Sequence, residues 1–192
     1  MSRSADGVLD RLDGLADGVR RRDPAAFRSV YELVADDLAG LAWRMLRDRH
    51  MAEDAVQQAF LELTKSASRF RGDGRALRAW LYRSVRYTCL DQLRRTRRRR
   101  EEPVPAVPEP GANQVPEPEP PDPELEAALA KLSNRQRMVL HLTHVGGMPG
   151  DEVGRVMGLN RAAVYAIASR ARARLRRELD RRGAMYPTGG RP

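Results

Sequence analysis

Arg83, Arg86, Arg94 and Arg97 fall within about one quarter of the circumference of a single helix at 100° per residue, and Trp80 and Tyr87 project beside them. Guanidinium forks grip phosphates and aromatic rings stack on unpaired bases, so such a face has the chemistry of a nucleic-acid site that tolerates melted strands. A solvated charged face with two aromatics capping a core would give the same pattern, and the helix alone leaves both readings open. His50, His141 and His144 raise a metal site, since the last two stand three apart. Two imidazoles without a third ligand make a structural role the better reading. No paired carboxylates, phosphate loop or nucleophile with a base can be assembled, so neither an enzyme nor a cofactor is expected.

The composition agrees with a polyanionic partner. The 192 residues carry 35 Lys and Arg against 26 Asp and Glu, a formal charge of +9. The arginines cluster, as in Arg97 to Arg100 and in Arg170, Arg172, Arg174, Arg176 and Arg177. A single cysteine, Cys89, excludes an internal disulfide framework. No window approaches the length of a membrane span and Met1 to Arg22 has no leader pattern, so no membrane insertion and a cytoplasmic location are expected.

These residues need helices to hold them. Apolar residues recur at helical spacing almost throughout, which predicts an all-α fold. Leu9, Leu12 and Val19 mark a first helix; Asp23 before Pro24 caps a second, with Phe27, Val30, Tyr31, Val34, Leu38, Leu41 and Met45 inward. A third runs from about Ala52. After a glycine-flanked turn at Gly72-Asp73-Gly74, a long helix from about Leu77 to Arg98 carries the core stripe Leu77, Leu81, Val85 and Cys89.

Residues 101–124 interrupt this pattern with nine of the thirteen prolines, seven acids and no Lys or Arg. Such a stretch buries too little to offset the entropy of ordering, so a flexible acidic linker is expected between two small domains, 6–100 and 125–182, with a tail at 183–192. Fully extended at about 3.1 Å per residue, the linker reaches on the order of 75 Å. Beyond it Leu125, Leu129 and Leu132 make a short helix, and Ser133 with Gln136 reads as a capping box. A short helix from Pro149, the turn Gly158-Leu159 and Asn160 as cap of a last long helix compose a helix-turn-helix.

The segments Ala52 to Leu61, Phe70-Arg71-Gly72-Asp73, Trp80-Leu81-Tyr82-Arg83 and Leu90 to Arg95 resemble the promoter-melting domain of bacterial sigma factors of the extracytoplasmic-function group. Leu132 to Arg137, Glu152-Val153, Gly158-Leu159 and Ser169 to Leu175 resemble their C-terminal domain. The resemblance implies a promoter-melting helical bundle and a helix-turn-helix bundle that bind core RNA polymerase, through its beta and beta-prime subunits, and promoter DNA. It implies polymerase contacts at Glu53, Asp54, Gln57 and Gln58. It places minus-ten DNA at Phe70, Arg71, Trp80, Arg83, Arg86, Tyr87, Arg94 and Arg95. Minus-thirty-five DNA falls to Asn160, Arg161, Tyr165, Arg170 and Arg172. It also implies a linker threaded through the polymerase, where its acidity is expected to tune passage.

Two departures stand out. Tyr87 occupies a position where the family has a small polar residue. On the last helix Ala163, Tyr165 and Ile167 replace polar residues, and Pro149 replaces a serine cap. Alanine and isoleucine touch a thymine methyl but make no bidentate base contact. Upstream recognition is therefore expected to be weak, or else Ala163 and Ile167 form an apolar surface for an activator or anti-sigma factor. The rival readings are a stand-alone helix-turn-helix regulator and a nonspecific arginine-rich RNA binder.

Overall fold

The computed structural model describes residues 5–101 and 122–185; nearly all of the expected linker and residues 186–192 of the expected tail lie outside them, while residues 183–185, expected to begin the tail, continue the last helix. The described residues form eight α-helices and no strand: α1 (Ala5–Arg20), α2 (Pro24–Leu46), α3 (Arg49–Ser66), α4 (Gly74–Glu101), α5 (Pro123–Ala130), α6 (Asn134–Leu140), α7 (Gly150–Met157) and α8 (Arg161–Met185).

Local chemistry sets most boundaries. Asp23 accepts from the Ala25 N–H with Pro24 at the first helical position, and Asp48 accepts from Met51 to start α3 earlier than the apolar pattern predicts. Asp122 and Pro123 repeat the first device on α5, which begins two residues before the expected Leu125. The capping box at Ser133 and Gln136 is present in both directions. Gly158, at φ +67°, ends α7 in the left-handed conformation.

In the N-terminal half α1, α2, α3 and α4 pack around one core, in which Leu77, Leu81, Val85 and Cys89 are fully buried as expected. Tyr31 departs from expectation. It is 46% exposed and stands edge-on to Phe60, with ring centroids 5.0 Å apart, because it lies on the outer flank of the α2–α3 seam. Helix α1 approaches the start of α4 so closely that the Asp13 carboxylate accepts the Gly74 N–H at 2.6 Å. In the C-terminal half α5, α6 and α7 pack against α8.

A π turn at His141–Val145, which no sequence signal suggested, follows α6. The two halves do not stand apart. Helix α4 packs on α7, and buried residues from both halves join one apolar cluster.

Candidate nucleic-acid and polymerase interface

Helices α3 and α4 border a groove of about 950 Å³. Helix α3 supplies Asp54, Gln57 and Gln58; α4 supplies Trp80, Arg83, Tyr87 and Arg95. Alternation along α3 explains this: Ala52, Ala55, Val56 and Ala59 face inward, so the polar residues between them face out. Ser84 donates to Glu62 at 2.5 Å across the floor and ties the two helices in register. Tyr87 is 58% exposed and bears Arg86 over its ring at 5.5 Å. Arg95 is held by Asp91 at 2.7 Å, while Arg83, Arg94 and Arg97 are exposed. Glu53 is exposed but outside the groove, paired with Arg49 at 2.9 Å.

A second groove, of about 840 Å³, lies between the halves. Phe70, Arg71, Trp80 and Arg83 line one side, and Asn160 and Arg161 line the other. Phe70 is 8% exposed, so the ring expected to meet an extruded base is packed away here. Asp73 caps α4 through Ala76, and Arg71 donates to the Ser68 and Phe70 carbonyls, which fixes the loop that carries the ring. Arg86, Arg94, Arg170 and Arg172 border neither groove.

On α8, Asn160 caps the helix through the Ala163 N–H at 2.8 Å. Val164, Ile167, Ala168 and Ala171 are buried, so the exposed face carries Arg161, Ala162, Tyr165, Ala166, Ser169 and Arg170. Ile167 therefore offers no docking surface: it is 8% exposed and belongs to the core. Ala163 is half-buried. Arg161 donates to the Tyr165 hydroxyl at 3.3 Å and lies over its ring at 5.4 Å, and that hydrogen bond pushes the guanidinium pKa up. Pro149 stands at the N-cap of α7 without a side-chain cap, as its sequence implied.

His141 and His144 do not share a face. His144 is exposed, whereas His141 is buried beside Leu41, Arg44 and Met138 with no hydrogen-bond partner for either ring nitrogen. No cluster of three ligand-type His, Cys, Asp or Glu residues occurs among the described residues. No helix of the described residues is long and apolar enough to cross a membrane.

Sequence reasoning missed Arg78 and Glu152. They form a bidentate pair between the halves, Nε to Oε1 at 2.7 Å and Nη2 to Oε2 at 2.8 Å, with both side chains buried. One signal was available. Arg78, Tyr82, Val85 and Cys89 are spaced as an inward stripe, and a charge on such a stripe needs a partner. Gln92 also borders the first groove, with its amide oxygen buried and without a hydrogen-bond partner.

Comparison with known proteins agrees with this arrangement. Residues 30–99 match the family model for Sigma-70 region 2, and residues 123–175 match that for Sigma-70 region 4. The chain is 32% identical over 157 residues to the ECF RNA polymerase sigma factor SigM of Mycobacterium tuberculosis, covering 82% of this chain and 79% of SigM. It is 31% identical over 163 residues to SigE of Mycolicibacterium smegmatis, covering 80% of this chain but spanning only 63% of SigE. Among solved structures, CnrH in complex with the cytosolic domain of CnrY matches with a TM-score of 0.64 and 26% identity, over 90% of this chain and 97% of that one. RpoE of Bartonella quintana, solved with the anti-sigma factor NepR, shares the fold at a TM-score of 0.63 and 23% identity, over 80% of this chain and 96% of that one. With a polar α3 face, an aromatic and arginine-rich α4 face and a capped helix-turn-helix in the order of these two regions, the chain belongs to the extracytoplasmic-function sigma factors of the sigma-70 family, alternative sigma factors that direct promoter-specific transcription initiation.

Proposed function

We propose that the chain binds core RNA polymerase through Asp54, Gln57 and Gln58 on α3, with Glu53 beside them, and reads the minus-ten element along α4. The observation that carries this reading is the first groove. Its polar α3 wall and its α4 wall of Trp80, Arg83 and Tyr87 lie side by side, so a polymerase contact on one would set melted DNA against the other. Arg83, Arg86, Arg94 and Arg95 hold phosphates, and Tyr87 stacks on a base. Phe70 takes part in capture of an extruded base once its packing opens. The protein acts as an initiation factor in the cytoplasm and performs no catalysis of its own.

Upstream recognition rests on Asn160, Arg161 and Tyr165 with phosphate contacts from Arg170 and Arg172. Arg161 is the one exposed fork near the start of α8, and Ala162 and Ala166 beside it favour thymine methyls. Sequence discrimination there is accordingly narrow. An anti-sigma factor or activator is a further partner, and its surface lies elsewhere than at the buried Ile167.

The stand-alone regulator is not favoured, because a repressor has no use for the polar face of α3. The test is co-purification with core polymerase followed by run-off transcription from promoter fragments. Polymerase-dependent transcripts that vanish with Asp54→Ala and Gln57→Ala together support the reading. Tight sequence-specific DNA binding by the chain alone, with no affinity for polymerase, overturns it.

A further inference from the structure

Arg69 and Arg155 have no part in the promoter contacts proposed above, yet both border the groove of about 840 Å³ between the halves. Arg71, Arg83 and Arg161 border it as well, and Asp151 is the one carboxylate among its lining residues. Arg69 and Arg71 flank Phe70 before α4, and Arg83 stands on α4; Arg155 and Arg161 come from α7 and α8.

Asp151 is already engaged by Arg155 at 3.2 Å, and the Arg71 guanidinium donates to the Ser68 and Phe70 carbonyls. Arg69 and Arg83 are exposed and enter no ion pair among the described residues. The groove thus gathers five guanidinium groups against one carboxylate. Bringing like charges from both halves to one space costs energy that an anion placed among them returns.

Two further features narrow the anion. The volume lies within the range of small-molecule clefts, roughly 300–1,000 Å³. Part of the lining is apolar, with half-buried Trp80 beside Ala76 and Ala79 on α4. An inorganic anion has no use for an aromatic wall, whereas a nucleobase stacks on one. Guanidinium forks match phosphate oxygens two at a time.

We propose that this groove binds a free nucleoside di- or triphosphate, with its base on Trp80 and its phosphates held by Arg69 and Arg155, one from each half. Arg83 and Arg161 lie beside them and add to the positive field. The site goes beyond the promoter-reading roles proposed above and does not depend on them.

Trp43→Phe leaves Trp80 as the sole tryptophan of the chain, so its fluorescence reports on the groove. In this background the full chain is titrated with ATP in magnesium-free buffer, and in parallel with inorganic tripolyphosphate and with adenosine. ATP is expected to quench Trp80 and to bind about tenfold more tightly than tripolyphosphate, as one base stacked on an aromatic ring predicts. Adenosine, without phosphates, is expected not to saturate. Arg69→Gln and Arg155→Gln should each weaken ATP binding about tenfold, the loss of one charge-assisted contact. Arg177→Gln, on α8 outside the groove, should leave it unchanged. All three positions are exposed, and circular dichroism checks that the helices persist.

ATP that neither quenches Trp80 nor binds at millimolar concentration overturns the proposal. So does tripolyphosphate binding as tightly as ATP, which would leave an anion groove with no place for a base. A loss with Arg177→Gln equal to that with Arg69→Gln also overturns it, since it marks diffuse attraction of polyanions to a basic surface. Co-purification with core polymerase is measured without nucleotide, so failure of this site and failure of the promoter reading are distinguishable.

Discussion

The Tyr165 ring lies against the α-carbon of Gly150, so closely that a Cβ there would meet ring atoms at 3.2 Å. The start of α7 is thereby a shelf for the ring, and the ring carries Arg161 above it. Gly150→Ala is expected to displace the ring while leaving the fold intact, because the obstructing atoms belong to a side chain that can swing outward. A well-placed arginine fork is worth about 1–3 kcal/mol of base discrimination. Arg161→Ala should lose that amount at one base pair of the upstream element, and Gly150→Ala part of it, with little change in melting temperature. Binding titrations against single-base variants of the element check this.

Gly74→Ala should act on stability instead. A Cβ would lie 2.4 Å from the Asp13 nitrogen and 2.7 Å from the Leu12 carbonyl carbon, both backbone atoms that cannot step aside. Helix α1 must separate from α4 and give up the Gly74 to Asp13 hydrogen bond. A loss of about 1–3 kcal/mol is expected, read as a lower urea midpoint.

His141 gives the stability of the fold a pH dependence. Burial, with the Arg44 guanidinium adding to it, lowers its pKa to about 4; the Asp37 backbone opposes weakly. Arg44 and Asp37 face it from α2 and Arg137 from α6. The ordinary value is 6.5, so the unfolded chain binds the proton more readily. Stability conferred by the neutral ring is fully present above about pH 6.5 and drains away as pH falls toward 4, by up to about 3 kcal/mol. His141→Leu should flatten the stability curve over that window, measured by denaturant titration at successive pH values.

Cys89 is fully buried on the inner stripe of α4, and burial pushes its thiol up to about 12. At pH 8 only about one thiol in ten thousand would be ionised even if a reagent reached it. Iodoacetamide is expected to leave the native chain unmodified and to label it fully in guanidinium. The labelling rate in buffer therefore reports opening of the N-terminal core, followed by mass spectrometry.

The parts of this fold that were legible in the sequence are those governed by neighbours along the chain. The spacing of Leu77, Leu81, Val85 and Cys89 fixed the inner face of α4. Asp23 with Pro24 and Ser133 with Gln136 marked helix starts because a cap and its partner stand within three residues. The register of α8 was legible but misread: Val164, Ile167, Ala168 and Ala171 form a continuous inner stripe, which turns Tyr165 and Ala166 outward and leaves Ile167 in the core. What no local rule could supply was the meeting of Arg78 with Glu152, 74 residues apart. Gly154 is similar. A Cβ there would come within 2.5 Å of the Leu159 carbonyl oxygen across the helix-turn-helix bend, a contact that local sequence does not reveal. As for the candidate site, the one-sided arginines could be named from periodicity and the polar residues of α3 only through the family resemblance, whereas the groove that brings Phe70 and Arg83 opposite Asn160 and Arg161 depends on tertiary packing.

The π turn at His141–Val145 has a consequence for insertions and deletions. There the Gly146 N–H bonds back to His141 and the Met148 N–H to Leu142, so one residue more than a regular α-helix needs is accommodated before the chain turns toward α7. That surplus residue re-phases the backbone that follows and brings the Gly146 carbonyl to Arg78. A one-residue deletion in this stretch would restore regular winding and rotate that carbonyl away, with every side chain of the ion pair retained. A single insertion or deletion here would therefore remove the backbone contact to Arg78 without changing any side chain that touches it.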